Sequence, residues 1–291
     1  MIASLERIQR DLQRLVGPRD PHETAGALHA AGEYLRREFE TAGLAVAAQE
    51  VPSEGRVFRN IIATSPGTDQ ADKTVLIVAH YDTKPGTPGA DDNASAVAAM
   101  LEIARLLAPR RFRRTLEFVG FTLEEYGYQG SRHFVRQVRT ERRTIVGVLD
   151  LEMVGYTSRK QRIPPGIRAR RVGDFIGVVG NRKSAGLVEV FVTAAREAVP
   201  ALLVESLIVR ANGYFLPIVR LSDHAPFWDA GIPAVMITDT AFLRNPHYHR
   251  ATDTLDTLDL PFLANVATAT AATAARLALP EAPGAGSRLS A

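Results

Sequence analysis

Leu5, Ile8, Leu12 and Leu15 recur at helical spacing with charged residues between them, which predicts an amphipathic surface helix at the start of the chain. A second helix is predicted over 24–42, with Leu28, Ala31, Leu35 and Phe39 on one face and Gly43 as its stop. Beyond Gly43 the pattern changes. AVAAQEV (45–51) and NIIATS (60–65) read as strands, and TVLIVAH (74–80) is an unbroken apolar run of the kind that forms a strand buried on both faces. ASAVAAMLEIARLL (94–107) predicts a long apolar helix, and TLEFVGFT (115–122) another buried strand. A helix near 129–139, a strand TIVGVLDL (144–151), a strand FIGVVG (175–180), a helix over 184–198, a strand AVMIT (234–238) and a last helix within 260–278 continue the alternation. Strands alternating with helices predict an α/β fold, a mostly parallel sheet covered by helices on both faces. No internal repeat or linker interrupts it, so one domain over 1–280 is expected, with a loose tail at 281–291.

Composition narrows the chemistry. Hydrophobic residues make up 46% of the 291 and charged residues 23%, enough for a large core and typical of globular chains. A net charge of only +3 gives little support for nucleic-acid binding. There is no cysteine, which excludes disulfides and thiolate metal sites and leaves His, Asp and Glu as metal ligands. The first residues lack the unbroken apolar stretch of a secretory signal, and no window approaches the length of a membrane span. The chain is expected to be soluble and cytoplasmic, with no membrane partner.

In open α/β sheets ligands bind beyond the carboxyl ends of the strands. His80 and Asp82 close the run 74–80, and Asp91, Asp92 and Asn93 follow just before a helix. Glu124 and Glu125 follow 115–122, Asp150 and Glu152 end 144–151, and His247 and His249 lie in the loop beyond 234–238. Singly, each has a plainer explanation. A strand-end His is more often a hydrogen-bonded structural residue, acids before a helix are more often caps, and paired glutamates are usually solvated. Together, following one buried strand after another, they argue against coincidence. His and carboxylates without cysteine around an open cleft are the ligand set of a catalytic zinc site. Five ligands with one bridging carboxylate suit two metals, which polarise a carbonyl and activate a water, while a further carboxylate moves its proton.

The motifs HYD (80–82), GADDNASA (89–96), LEEYGYQGSRHF (123–134), DLEMVGY (150–156), SDHAPFWDAGIPAV (222–235) and YHRATDTLDTLD (248–259) resemble, in order, those of the M28 zinc peptidases. These include bacterial aminopeptidases and, more distantly, glutaminyl cyclases. The resemblance spans roughly residues 20–278. It implies a three-layer zinc-aminopeptidase fold and two zinc ions per chain. His80 and Glu152 would hold one metal, Asp92 would bridge, and Glu125 and His249 would complete the second. Glu124 would be the general base, Asp82 the partner of His80, and Asp223 a hydrogen-bonding group near the substrate end of the pocket. A cis peptide is implied at Asp92–Asn93.

The chain departs from the pattern in places. Glu152 stands where Asp is expected, with Asp150 the competing ligand two residues earlier. Asn93 stands where a third acid is common, Arg250-Ala251 replaces Thr-Pro, and His247 could compete with His249. His22, His29 and His133 are expected to be structural, and His224 is ambiguous. The implied activity is removal of N-terminal residues from peptides with a free N-terminus. The alternatives are a single-zinc glutaminyl cyclase and a non-catalytic binding protein on the same fold. Survival of both His80 and Glu152 favours hydrolysis over cyclisation. The basic stretch 159–171 is expected as a solvated loop, or as part of a lid over the site at 156–172. Asn212, Tyr214 and Phe215 are candidate pocket-wall residues, with loop packing the equal alternative.

Overall fold

The unbroken apolar runs form the middle of an eight-stranded sheet, because a strand buried on both faces needs helices above and below it. The computed structural model describes residues 1–165 and 167–279; the tail expected at 281–291 lies outside them. In chain order the elements are α1 (Leu5–Leu15), α2 (Ala25–Thr41), β1 (Ala45–Ser53), β2 (Arg56–Ser65), β3 (Gln70–His80), α3 (Ala96–Leu107), β4 (Arg114–Phe121) and α4 (Gln129–Thr140). They continue with β5 (Thr144–Glu152), β6 (Phe175–Asn181), α5 (Ala185–Ala198), β7 (Leu203–Val209), α6 (His224–Asp229), β8 (Ala234–Thr238) and α7 (Leu260–Ala278).

The strand order is β1-β2-β4-β3-β5-β8-β6-β7. β4, β3, β5 and β8 are adjacent and parallel, with His80 opposite Phe121 and Glu152 opposite Thr238. Their carboxyl ends therefore share one edge. The chain runs outward from β3 to β4 and then back across β3 to β5, so the winding reverses at β3, where an open α/β sheet leaves a crevice. Alternate residues of β3 feed the two faces, as a pleated strand requires. Val75 and Ile77 pack with Ile8, Leu35, Phe191 and Leu263, under α1, α2, α3, α5 and α7. Leu76 and Val78 pack with Phe134, Phe227 and Trp228, under α4 and α6.

The sheet is more mixed than the apolar pattern implies. β1 and β2 form an antiparallel hairpin, β2 runs against β4, and β6 runs against β8. β7 carries Glu205 and Ser206 and is mostly half-buried or exposed. An edge strand needs no continuous apolar run, so periodicity did not reveal it, nor the six-residue α6.

The helices on the first face are joined by charge. Asp11 of α1 is fully buried and accepts from Arg105 Nη1 and Nη2 of α3 (2.5 and 3.0 Å) and from the Tyr34 hydroxyl of α2 (2.7 Å). Arg105 also pairs with Glu38 (2.7 Å), so it is Asp11, fully buried, that loses its hydrogen-bonded cation when the pair is broken from the other side. Arg105→Met is therefore expected to lower unfolding stability by about 3 kcal/mol in denaturant titration; a loss below about 1 kcal/mol would mark the pair as no better than a surface one.

Candidate metal centre

Each chemically active side chain sits where a strand ends and its backbone partners run out. His80 is the last residue of β3 and is 1% exposed. Two residues on, the buried Asp82 carboxylate accepts the backbone N–H groups of Glu124 (3.0 Å) and Glu125 (3.2 Å), and one of its oxygens lies 3.6 Å from His80 Nδ1. Asp82 thus ties the loop after β4 to the end of β3. That loop begins at Leu123, whose φ of +57° is unusual for a branched side chain.

Asp92 lies in an irregular helical turn, Ala90–Ser95, that leads into α3, and the Asp92–Asn93 peptide is cis. The turn is held from outside. Asp253 accepts the backbone N–H of Asp91 (2.9 Å) and of Asp92 (3.1 Å). Asn93 donates to the Leu151 carbonyl (3.1 Å) and accepts from the Met153 N–H (3.0 Å) at the end of β5. A carboxylate could accept there but not donate, which accounts for Asn where an acid is common. Asp91 accepts from Gly155 N–H (3.0 Å) and from the Asn245 amide (2.7 Å).

These constraints bring six side chains together. His80, Glu124 and Glu152 offer one set of mutually close ligand atoms, and Asp92, Glu125 and His249 another. Asp92 faces both. One of its oxygens is 3.3 Å from His80 Nε2, and the other is 3.1 Å from His249 Nε2. His249 Nε2 is also 3.1 Å from Glu125 Oε1. His80 Nε2 is 3.4 Å from Glu152 Oε2 but 3.9 Å from Glu124 Oε2. Two ligand atoms about 2.0 Å from a tetrahedral zinc are about 3.3 Å apart. The His80–Asp92, His80–Glu152, His249–Asp92 and His249–Glu125 contacts have about that spacing, and Glu124, 3.9 Å from His80, stands just outside it. His80 Nδ1 and Nε2, Asp92 Oδ1, Glu125 Oε1 and His249 Nε2 are buried without a hydrogen-bond partner. Such a concentration of unsatisfied atoms needs a reason, and divalent metal fits this donor set.

The electrostatics agree. Burial raises Glu124 well above the usual carboxylate range, with Glu125, Glu152 and Asp223 adding to it and His80 opposing. Burial likewise lifts Glu152 to about 7. Burial opposes charge on His249, yet Asp92 and Glu125 raise it to about 9. Burial also opposes charge on His80, which Glu124 and Glu152 nonetheless raise. Asp92 is lowered despite its burial by its two histidine neighbours. Protons thus take up on the imidazoles the charge that a cation would carry.

The competing candidates separate cleanly. Asp150 is engaged by His224, through its N–H (2.9 Å) and its Nδ1 (3.1 Å), so it is Glu152 that enters the cluster. His224 is accordingly a buried structural group whose Nε2 lies 2.8 Å from the Val219 carbonyl. His247 Nδ1 contacts the Thr252 hydroxyl (3.0 Å) at an exposed position, outside the cluster. Asp223 is fully buried, with neither oxygen hydrogen-bonded, and burial and Asp150 raise it well above the usual range. Two supporting groups carry no signal in the sequence pattern. Ser222 donates to Glu152 Oε2 (2.7 Å), and Lys84 donates to the Glu125 carbonyl (2.5 Å) with its ammonium 3.3 Å from Glu125 Oε2.

Beside Glu152 and Tyr248 opens an apolar cavity, walled by Val179, Met236, Ile218 and Phe242 among others. Residues 161–164 and 167–169 form one side of it. That segment is anchored where Arg162 N–H donates to the Leu243 carbonyl (2.8 Å) and where Ser158 bridges Gly173. The loop 211–221 contributes Ile218, Val219 and Leu221. Tyr214 and Phe215 are exposed instead, and Asn212 bonds to Asn181 and to the Trp228 carbonyl.

Comparison with known proteins bears on the family and the fold. The chain is 34% identical over 271 residues to the uncharacterized protein YfbL of Escherichia coli K12, covering 87% of this chain and 81% of that one. It is 26% identical to leucine aminopeptidase 1 of Arthroderma otae, over 88% of this chain and 70% of that one. Its fold is similar to that of an aminopeptidase from Aneurinibacillus sp. strain AM-1, with a TM-score of 0.75 at 18% identity, over 96% of this chain and 95% of that one. The model of peptidase family M28 matches residues 60–274. The chain belongs to peptidase family M28 and is a peptide-bond hydrolase.

Proposed function

We propose that this chain is an aminopeptidase with two zinc ions, His80, Asp92 and Glu152 on one and Asp92, Glu125 and His249 on the other. The observation that carries this reading is the Asp92 carboxylate, with one oxygen against each histidine. Charge supports bound cations: Asp92, Glu124, Glu125 and Glu152 crowd together beside two imidazoles and the Lys84 ammonium, and buried carboxylates in such number need further positive charge among them.

Bound zinc would polarise the scissile carbonyl and lower the pKa of a water held there. Glu124, lifted by burial and standing just outside the ligand spacing, takes the proton of the attacking water and hands it to the leaving amine. Asp82, through the two N–H groups it accepts, holds Glu124 and Glu125 at their separate tasks. The substrate is a peptide with a free N-terminus, whose first side chain enters the apolar cavity beside Glu152. A single-zinc cyclase would need only Asp92, Glu125 and His249, and would leave the His80 and Glu152 donors without a task. A binding-only role would leave Glu124 without one.

Elemental analysis is expected to find about two zinc per chain. Asp92→Ala and His249→Ala should lower that content, and full retention in both would show that the ligand assignment is wrong. Glu124→Gln should keep both ions while kcat falls by about 10²–10⁴; near-normal turnover would remove Glu124 as the base. Peptides beginning with Leu, Met or Phe should be cleaved faster than those beginning with Asp, and an N-acetylated twin should not be cleaved at all. Cleavage of the blocked peptide at a similar rate would end the aminopeptidase reading.

The pH response has a definite sign. In the metal-free chain His249 rises from 6.5 to about 9 and Glu152 from 4.5 to about 7. Both groups bind protons more tightly folded than unfolded, so their stabilisation is present at low pH and is lost as pH rises through those values. The melting temperature of chelator-treated protein is expected to fall as the pH is raised from about 6.5 to about 9, and added zinc should remove most of that fall. A flat profile without metal would contradict it.

A further inference from the structure

Arg19 is 3% exposed, and among the described residues no carboxylate pairs with it. A buried charge without a counter-ion is costly, so its surroundings have to replace the missing partner. Every hydrogen bond of its guanidinium goes to a backbone carbonyl: Nε donates to Tyr81 (2.9 Å), Nη1 to Leu15, to Gly17 (2.7 Å) and to Pro88 (3.1 Å), and Nη2 to Gly89 (3.0 Å). Tyr81 lies between His80 and Asp82, and Pro88 and Gly89 immediately precede the turn that carries Asp92. The backbone of Arg19 is held to the same loop, its N–H donating to the Thr83 hydroxyl (2.9 Å) and its carbonyl accepting from the Thr83 N–H (3.3 Å).

The loop is shaped around this group. Gly89 has a φ of +60°, and a Cβ there would come within 3.0 Å of Arg19 Nη2 and 2.4 Å of the Asp92 carbonyl. Burial lowers Arg19 to about 10, while the charges of Asp82, Asp253 and Asp92 favour its protonated form. The guanidinium therefore sits inside the field of the carboxylates it helps to place. A lysine ammonium, compact and with three donors, cannot span carbonyls on both sides of the loop as a planar fork with five donors does.

We propose that Arg19 is a positioning residue for the metal centre: its guanidinium clamps the two ends of the loop 81–89 and so sets His80, on one ligand set, against Asp92, which both sets share. The proposal rests on the reading of the cluster as a metal site.

The test measures zinc affinity by competition with a chromophoric chelator and the visible spectrum of the cobalt-substituted protein, which reports ligand geometry without reference to turnover. Arg19→Lys is expected to weaken zinc binding about 10–100-fold, the usual effect of losing a group that orients metal ligands, and to alter the cobalt spectrum. Phe191→Leu, a destabilising core change under α5, should leave both readouts as in the wild type. Thr83→Val leaves the arginine in place but removes the acceptor for its N–H. It should shift the cobalt spectrum in the same direction and weaken zinc binding, whereas Thr83→Ser, which keeps the hydroxyl, should restore both. If Arg19→Lys does not fold, the Thr83 pair decides. Arg19→Lys with zinc affinity within about twofold of wild type and an unchanged spectrum, or a loss equalled by Phe191→Leu, would overturn the proposal. So would wild-type behaviour of Thr83→Val in both readouts. A wild-type protein that binds neither zinc nor cobalt would overturn the metal reading itself.

Discussion

Like charges repel, and in a cleft largely closed to water four carboxylates within a few ångströms of one another push the chain apart unless cations lie among them. Asp92, Glu124, Glu125 and Glu152 are in that position, with two imidazoles and the Lys84 ammonium beside them. The surrounding structure answers this repulsion. Asp82 is spent on the amides of Glu124 and Glu125, Asp253 on those of Asp91 and Asp92, and Ser222 and Lys84 each steady one glutamate. Only Lys84 offsets any of the negative charge; the other contacts fix the geometry of the carboxylates.

The sheet makes such a site possible. Four adjacent parallel strands end at one edge, and the winding reverses at β3, so the loops after β4 and β5 lie on either side of His80. A parallel sheet needs its crossovers on its faces, which here places five helices on one side and two on the other. The two-helix side leaves room at the β5–β8–β6 end for the apolar cavity, whose floor includes Met236 of β8 and Val179 of β6. The His and carboxylate cluster and the apolar cavity thus share strands, and Glu152 belongs to both.

Much of this was legible in the chain. The central strands announced themselves as apolar runs because both their faces are buried, and the chemical residues stood out because they followed those runs one after another. Choosing between Asp150 and Glu152 was beyond the pattern, since residues two apart on a strand share a face, and the loop that holds His247 and His249 has no periodicity to separate them. His224 decides the first by engaging Asp150, and Thr252 the second by holding His247 away. Strand direction at the sheet's margins, the edge strand β7 and the wall formed by residues 161–164 and 167–169 depend on pairing and packing partners distant in sequence. No local periodicity encodes them.

The sequence by itself determined the α/β class and that His and carboxylate side chains gather just beyond the buried strands, because burial period and residue type are local properties of the chain. Only the tertiary structure decided which carboxylate faces which histidine, that Asp92 turns one oxygen to each set, and that Arg19, 73 positions before Asp92 in the chain, lies against the loop leading to it. Those facts depend on distances of a few ångströms between segments that meet only when the strands pair, and hydrogen bonds and ligand contacts are made or lost within that range.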